Sequence, residues 1–434
     1  MERLNHFSSI TGGIVALAAE KTGTPVYLYD ENLIIEKCRA LKAMPNAYGL
    51  TVRYAMKANS TRAILKIIHR QGLLFDASSL NEARRAHLAG VPCSAITLTT
   101  QEVPTGADRT TLEEMMLEGL KYNACSLRQL RMAGDFAAEN GIKLSVRIHP
   151  GVGSGESSTR NTGDNYSCFG IHLADVADAT AYAAGKGIII DQVHVHIGSG
   201  ADPEIWRSNI DRELGFIEEY FPDAETVSFG GGLKEARMPD EKAAGIQDLG
   251  AYAKARVEAF YERTGRRLHM EIEPGTYVVA NAGYAVTRVL DKKKTGADGL
   301  QFIVTDGGME INARPLLYAS RHPFYVVSEE GELLSSEFSD APASGFEAVI
   351  VGKCCESGDS QSLDKDGLSI PRGMAEPGLD DFVVIGGTGA YCSTMTPMNY
   401  NSHTQIAELL LSRDGSLTEI RRRQTLEQIL ENEI

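Results

Sequence analysis

No apolar stretch in the chain is long enough to span a bilayer, which removes the helical membrane classes. The opening Met1-Glu2-Arg3-Leu4-Asn5-His6 lacks the apolar core of a secretory signal, so a cytoplasmic location is expected. Positive charge is also scarce. Forty-three Lys and Arg stand against 58 Asp and Glu, a net charge of −15, which argues against nucleic acid or an anionic membrane as the main partner. The seven cysteines are odd in number and follow no framework spacing, as expected for reduced thiols. Cys354-Cys355 has no C-x-x-C partner, so no metal is expected there. Internal repeats and low-complexity tracts are missing too. What remains is 434 residues with 43% hydrophobic content, enough to bury two ordinary cores.

Short β-type runs alternate with helical stretches through the first two thirds of the chain. The runs are Thr51 to Lys57, Leu73 to Ser78, Ala95 to Thr100, Tyr122 to Ser126, Lys143 to Pro150, Asp191 to Gly198, Thr226 to Gly232 and Leu268 to Pro274. Between them, stretches such as Thr61 to Arg70, Leu80 to Ala89 and Leu127 to Asn140 keep apolar residues three and four apart. Alternation of this kind demands a parallel sheet. Eight units in this length match a (β/α)8 barrel, and a doubly wound open sheet is the rival. From about residue 284 the texture changes. Tyr284 to Leu290, Leu300 to Thr305, Phe324 to Ser328, Phe346 to Val351, Phe382 to Ile385 and Ile406 to Ser412 are β-rich runs separated by Gly, Pro and Asp clusters. The expected domains are therefore a barrel over residues 30–284 and a β-rich domain from 1–29 and 285–434, with Tyr27-Leu28-Tyr29 returning to the second as an extra strand.

A barrel should gather its functional residues at the C-terminal ends of its strands. The run ends carry Lys57; Asp76 and Ser79; Arg147 and His149; His196 and Ser199; Gly230-Gly231-Gly232; and Glu273-Pro274-Gly275. Lys57 lies between Met56 and Ala58, where poor solvation disfavours the ammonium and favours a nucleophilic amine able to condense with an aldehyde. Its competing reading is a lysine snorkelling into water. Consecutive glycines let backbone N–H groups approach an anion, helped by a helix N-terminus should one follow, although glycine runs also make plain turns. His194-Val195-His196 sets two imidazoles on one face of a strand, suited to a metal pair or to one ring stacking on a planar cofactor. Glu273 could hold a protonated pyridine nitrogen or be an ordinary solvated acid. Gly151-Val152-Gly153-Ser154-Gly155-Glu156 lacks the helix and distal acid of a dinucleotide loop.

Together these ordered motifs resemble the fold-type III pyridoxal phosphate decarboxylases, within them the diaminopimelate decarboxylase branch, from about Thr24 to the C-terminus. The resemblance runs through Tyr54-Ala55-Met56-Lys57-Ala58-Asn59, Phe75-Asp76-Ala77-Ser78-Ser79, Arg147-Ile148-His149-Pro150-Gly151-Val152-Gly153, His194-Val195-His196-Ile197-Gly198-Ser199, Gly230-Gly231-Gly232 and Glu273-Pro274-Gly275. Beyond the barrel it continues in Arg314-Pro315-Leu316-Leu317-Tyr318, Cys355-Glu356-Ser357-Gly358-Asp359 and Gly389-Ala390-Tyr391. It implies an alanine-racemase-like barrel and pyridoxal phosphate carried by Lys57. It further implies that Asp76 belongs to the cofactor site, that His196 stacks on the ring and that Glu273 holds the ring nitrogen. Ser199, Gly230 to Gly232, Gly275 and Tyr391 would bind phosphate. Arg314 and Tyr318 would contact the distal part of a diamino-acid substrate, and Tyr391 would touch the substrate as well. Cys355, as proton donor, and Glu356, as partner for substrate nitrogen, would reach the substrate across a homodimer interface.

The family usually has arginine after Glu-Pro-Gly, and here Thr276 follows. That exchange of a bidentate cation for one neutral hydroxyl bears on the substrate rather than on the reaction. Meso-diaminopimelate is the expected substrate. Another diamino acid (D-lysine, D-ornithine or a siderophore-type adduct) is the alternative, and a non-catalytic regulator or a racemase fits less well with Lys57, Cys355 and the glycine loop all present. The segment Gly155 to Ser167 matches no fixed motif.

Overall fold

The computed structural model describes residues 2–154, 161–198, 202–339 and 345–434. The chain divides into two compact units, one formed by Lys37–Glu235 with Ala243–Tyr277, the other by Met1–Glu36, Ala236–Lys242 and Val278–Ile434.

The first unit is a closed parallel barrel. Its strands are β1 (Leu50–Ala55), β2 (Leu74–Ala77), β3 (Ile96–Thr99), β4 (Lys121–Ala124), β5 (Leu144–His149), β6 (Ile190–His194), β7 (Thr226–Ser228) and β8 (His269–Ile272). Each pairs in parallel with the next in chain order, and β8 returns to β1 with Ile272 opposite Val52. Closure removes both edges, so the open-sheet alternative falls. Serines set two of the strand-to-helix turns. The Ser79 side chain accepts from the Glu82 amide and Ser126 from the Gln129 amide, each at 3.1 Å, capping the helices Leu80–Leu88 and Leu127–Glu139. Ser79, at the end of the second run, is thus a helix cap.

Barrel interiors are commonly filled by Val, Ile and Leu. This one carries buried polar layers that satisfy one another. In the lower layer Arg53 Nε lies 2.7 Å from Glu271 Oε2, and Gln192 Nε2 donates to Glu271 Oε1 at 2.7 Å. In the layer above, Asn123 Nδ2 donates to Thr99 Oγ1 at 3.1 Å, and Ser145 Oγ donates to Asn123 Oδ1 at 3.0 Å. Such burial is tolerated because nearly all of these groups find a partner among the described residues, Arg53 Nη1 being the exception.

The second unit is built on a branched sheet. Its main path runs Leu333–Ser336, Phe324–Val327, Phe382–Gly386, Gly283–Lys294, Val26–Asp30, Ala407–Leu411 and Leu417–Arg421. Gln301–Thr305 branches from the long strand Gly283–Lys294 and pairs in parallel with Phe346–Val351, which continues to Arg372–Met374. Tyr27-Leu28-Tyr29 lies mid-sheet, antiparallel to Tyr284 and its neighbours and parallel to Glu408-Leu409-Leu410. Leu28, Val286, Val327, Val384 and Leu409 pack beneath the helix Gly12–Thr22, which buries Val15, Ala18 and Ala19. Among the described residues no helix is long and apolar enough to cross a membrane.

Candidate active site

Strand β1 ends at Ala55, and Lys57 sits in the 3-10 turn Met56–Ala58 that follows. The turn is pinned from both sides. Tyr54 donates its hydroxyl to the Asn59 carbonyl at 3.0 Å, and the Ala55 amide donates to the Pro274 carbonyl at 3.2 Å. Gly275 lies so close that a Cβ there would meet the Ala55 carbonyl at 3.0 Å and Ala58 at 3.1 Å. The Lys57 turn and the end of β8 are therefore packed backbone to backbone.

Glu273 is the anion of this barrel end. Its Oε1 accepts from Ser228 Oγ at 3.4 Å, and His194 Nε2 lies 3.0 Å from Oε2. The His194 contact is off the hydrogen-bond line, which makes it chiefly electrostatic. Asn123 Nδ2 donates to His194 Nδ1 at 2.8 Å. Since an amide nitrogen only donates, Nδ1 accepts and the imidazole proton sits on Nε2, facing Glu273. Burial alone would raise the Glu273 carboxyl, but His194, then Lys57 and Arg147, outweigh it and hold it below its ordinary value. Asp76 behaves in the opposite way. Burial first and Glu273 second push it well up against the pull of Lys57, and its Oδ1 is buried with no protein partner.

His196 is kept neutral, its pKa pushed well below the usual imidazole value by burial and then by Lys57, Arg147 and His194. The Gly231 amide donates to its Nδ1 at 3.1 Å, which fixes the ring's orientation. Gly230 (φ 64°) and Gly232 (φ 93°) hold the loop in left-handed conformations. A Cβ on Gly231 would meet the Glu273 carbonyl at 2.6 Å. No helix begins after this loop; the next starts at Ile246, so the expected dipole contribution is withdrawn and only backbone amides remain. Ser199 lies outside the described residues, as do 155–160. His149 is drawn away from the chemistry: its Nε2 lies 3.0 Å and 3.1 Å from the Asp164 and Ser167 carbonyls, anchoring the described part of the unassigned segment.

In the β unit, Arg314 is 1% exposed, its guanidinium 5.8 Å from the Tyr318 ring and 5.9 Å from the Tyr391 ring. Arg314 Nη2 donates to Ser320 Oγ at 3.2 Å. Cys355 and Glu356 stand on a separate, exposed turn. The Cys355 amide donates to Asn401 Oδ1 at 2.9 Å, and Tyr400 donates its hydroxyl to Glu356 Oε2 at 3.2 Å. Bonds from the Gly358 amide, Ser357 and Tyr400 hold the Glu356 carboxyl below its ordinary value. Tyr400 and Asn401 were not among the residues singled out by motif. Neither were Asn123 and Ser228, although a buried asparagine in the apolar run of β4 is a readable anomaly.

Pyridoxal phosphate needs an amine to carry it, an anion at its ring nitrogen, a flat neutral partner for its face and amides for its phosphate. Lys57, Glu273, His196 and the glycine loop meet those needs, and the unpartnered Asp76 oxygen offers one further polar contact. Residues 32–280 match the family described as pyridoxal-dependent decarboxylase, pyridoxal binding domain. The chain belongs to that family. It is therefore a pyridoxal phosphate enzyme of the carboxy-lyase class, which removes the carboxylate of an amino acid as CO2. The chain is 31% identical to diaminopimelate decarboxylase of Escherichia coli strain K12 over 416 residues, 95% of this chain and 94% of that protein. A crystal structure of a diaminopimelate decarboxylase superposes with a TM-score of 0.87 at 31% identity, covering 99% of both chains. The Helicobacter pylori diaminopimelate decarboxylase complexed with L-lysine superposes with a TM-score of 0.77 at 25% identity, covering 96% of this chain and 98% of that one.

Proposed function

We propose that this decarboxylase converts meso-diaminopimelate to L-lysine, working as a homodimer. The observation that carries the substrate is the 31% identity to a diaminopimelate decarboxylase sustained over 95% of the chain. A buried guanidinium at Arg314, flanked by Tyr318 and Tyr391, supports it, because it suits a second carboxylate.

Pyridoxal phosphate, when bound, supplies the sink for the electron pair left by departing CO2. The residues divide the remaining work. Lys57 would hold the cofactor through its side-chain amine. Glu273, kept anionic by His194, Lys57 and Arg147, would hold the protonated ring nitrogen. Neutral His196 would face the ring without adding charge. Asp76 would hold a ring substituent as a hydrogen-bonding acid, while Gly230 to Gly232, Gly275, Ser199 and Tyr391 would take the phosphate. Arg314 and Tyr318 bind the distal end of the substrate. Cys355 returns a proton to the α-carbon, and Glu356 pairs with substrate nitrogen. Both stand on the exposed turn outside the barrel, a placement suited to acting on the partner subunit's cofactor.

CO2 release across D-, L- and meso-diamino acids tests the substrate. Meso-diaminopimelate should be the preferred compound, and Arg314→Ala should cost it roughly 2–5 kcal/mol in apparent transition-state binding while costing lysine-like compounds less. The selectivity ratio is the readout, since a merely weakened fold would lower all substrates together. Faster turnover of D-lysine or D-ornithine by the wild type would instead make Thr276 the mark of a different diamino-acid substrate.

A further inference from the structure

A second cluster of potential ligand side chains lies at the opposite end of the barrel. His87 is in the last turn of the helix Leu80–Leu88, Cys93 opens the 3-10 turn Cys93–Ala95 that leads into β3, and Glu118 caps the helix Ala107–Leu117. Cys93 Sγ lies 3.1 Å from Glu118 Oε2 and 3.5 Å from His87 Nδ1, and all three donor atoms fall within 4.8 Å of one another. Cys93 is 2% exposed and forms the floor, while His87 and Glu118 form an exposed rim. Among the described residues, the thiol is the one hydrogen-bond partner of the Glu118 carboxylate and of the His87 ring.

Three separate pieces of backbone hold these donors in place. The Ala95 amide closes the cysteine turn on the Pro92 carbonyl at 2.9 Å, and the Glu118 amide closes its helix on Glu114 at 3.1 Å. Gly119, at φ 98°, passes so near Ser94 that a Cβ would meet its side chain at 3.1 Å and its Cα at 3.3 Å. That close passage sets Glu118 beside Cys93. In a tetrahedral zinc site with the usual bond lengths, neighbouring donor atoms stand roughly 3.3–3.6 Å apart. The sulfur–nitrogen separation already matches, and the sulfur–oxygen separation needs only a small opening.

We propose that His87, Cys93 and Glu118 bind one divalent transition-metal ion of the zinc class, with a fourth position open to water. Coordination displaces the thiol proton to solvent as the sulfur–metal bond forms, with no change of oxidation state. The ion would clamp two helices to the start of β3, at the face of the barrel where residues serve stability and away from the strand ends that carry Lys57 and Glu273. The buried trio Glu310, Cys354 and Asp359 offers a useful contrast. There the Met309 and Cys354 amides occupy both Asp359 oxygens at 2.6 Å and 2.7 Å and the Gly308 amide occupies Glu310 Oε2 at 2.9 Å, so three of the four carboxylate oxygens already accept from backbone and Glu310 Oε1 alone is left without a partner among the described residues.

The test uses the holoenzyme, stripped with a chelator and titrated with cobalt(II), read as a difference spectrum against the metal-free holoenzyme. One equivalent should bind with a sulfur-to-cobalt charge-transfer band and the strong ligand-field bands of a four-coordinate ion. Cys93→Ser should abolish the sulfur band, and Cys355→Ala should keep it. His87→Ala and Glu118→Gln, both at the exposed rim and safe for folding, should weaken binding by about tenfold or more, since even outer-shell changes at metal sites cost that much. Zinc should also raise the thermal midpoint of the wild type and not that of His87→Ala. A sulfur band that survives Cys93→Ser, or cobalt binding without any such band, would overturn the site.

Discussion

At the scale of single residues, the chemistry depends on how few charges share one barrel end. Lys57 pulls down Asp76 and Glu273 and pushes down His196, so four groups named by their strand-end positions belong to one electrostatic neighbourhood. Borohydride reduction of the holoenzyme fixes the cofactor to the side chain that carries it, and peptide mapping should place the label on Lys57. Lys57→Ala should lose the yellow colour and all turnover, whereas a label on any other lysine would break the assignment. His196 makes a further prediction. Its folded pKa lies below the unfolded value near 6.5, so the unfolded chain takes the proton first as the solution becomes acidic. Its contribution to stability is therefore complete above about pH 6.5 and is lost as pH falls through that value, at up to ~1.4 kcal/mol per pH unit. Denaturation midpoints of the wild type should drop between about pH 7 and pH 5, and those of His196→Phe should drop less. Equal losses would mean the ring titrates freely. The strand-end placement of Lys57, Glu273 and His196 was legible because each closes a β-type run. The Asn123–His194–Glu273 chain was not, because it joins β4, β6 and β8 across the interior and no local pattern records that register.

At the scale of elements, all eight barrel strands were legible, since each is a compact apolar run with a helical stretch after it. Closure was not, because a parallel run reads the same in a ring and in an open sheet. Leu333–Ser336, Arg372–Met374 and Leu417–Arg421 also escaped notice. They are short, half polar and on the rims of their sheets, where one exposed face leaves little periodicity to see. The glycine loop between β7 and β8 shows what an element can depend on. Beyond its left-handed conformations, Gly231 sits where any Cβ would strike the Glu273 carbonyl at 2.6 Å. Gly231→Ala should force β8 and the loop apart, moving Glu273 and losing the Gly231 amide's bond to His196. The expected result is weaker cofactor retention on dialysis, by about fivefold or more for a loss of roughly 1–3 kcal/mol, with the fold preserved by circular dichroism. Unchanged retention would show that the loop tolerates the displacement and that the phosphate is held elsewhere.

At the scale of the whole molecule, the residues of the proposed mechanism are divided between two units. The barrel holds Lys57, Asp76, His196 and Glu273, whereas Arg314, Tyr318, Cys355, Glu356 and Tyr391 belong to the β unit. Sequence could name both sets from motifs but could not show which copy of the β unit serves which barrel, because strand patterns carry no information about association. Cys355 and Glu356 are exposed on their turn, yet the Cys355 backbone amide is bonded to Asn401 and the Glu356 carboxylate to Tyr400, an ordering that costs entropy in groups meant only to face water. The proposed homodimer with shared sites would account for both facts. If it is right, Lys57→Ala and Cys355→Ala are each inactive alone but defective in different halves of the site. Subunit exchange between them then produces hybrid dimers in which one site of the two has an intact Lys57 and an intact Cys355. Random exchange puts half of all dimers in the hybrid class, so the mixture should recover about a quarter of wild-type CO2 release, the value statistical mixing of independent sites predicts. Exchange must be shown separately, by mass or by fluorescence transfer between labelled subunits. Demonstrated exchange without recovered activity would mean that each chain supplies its own Cys355, and the shared-site dimer would have to be abandoned.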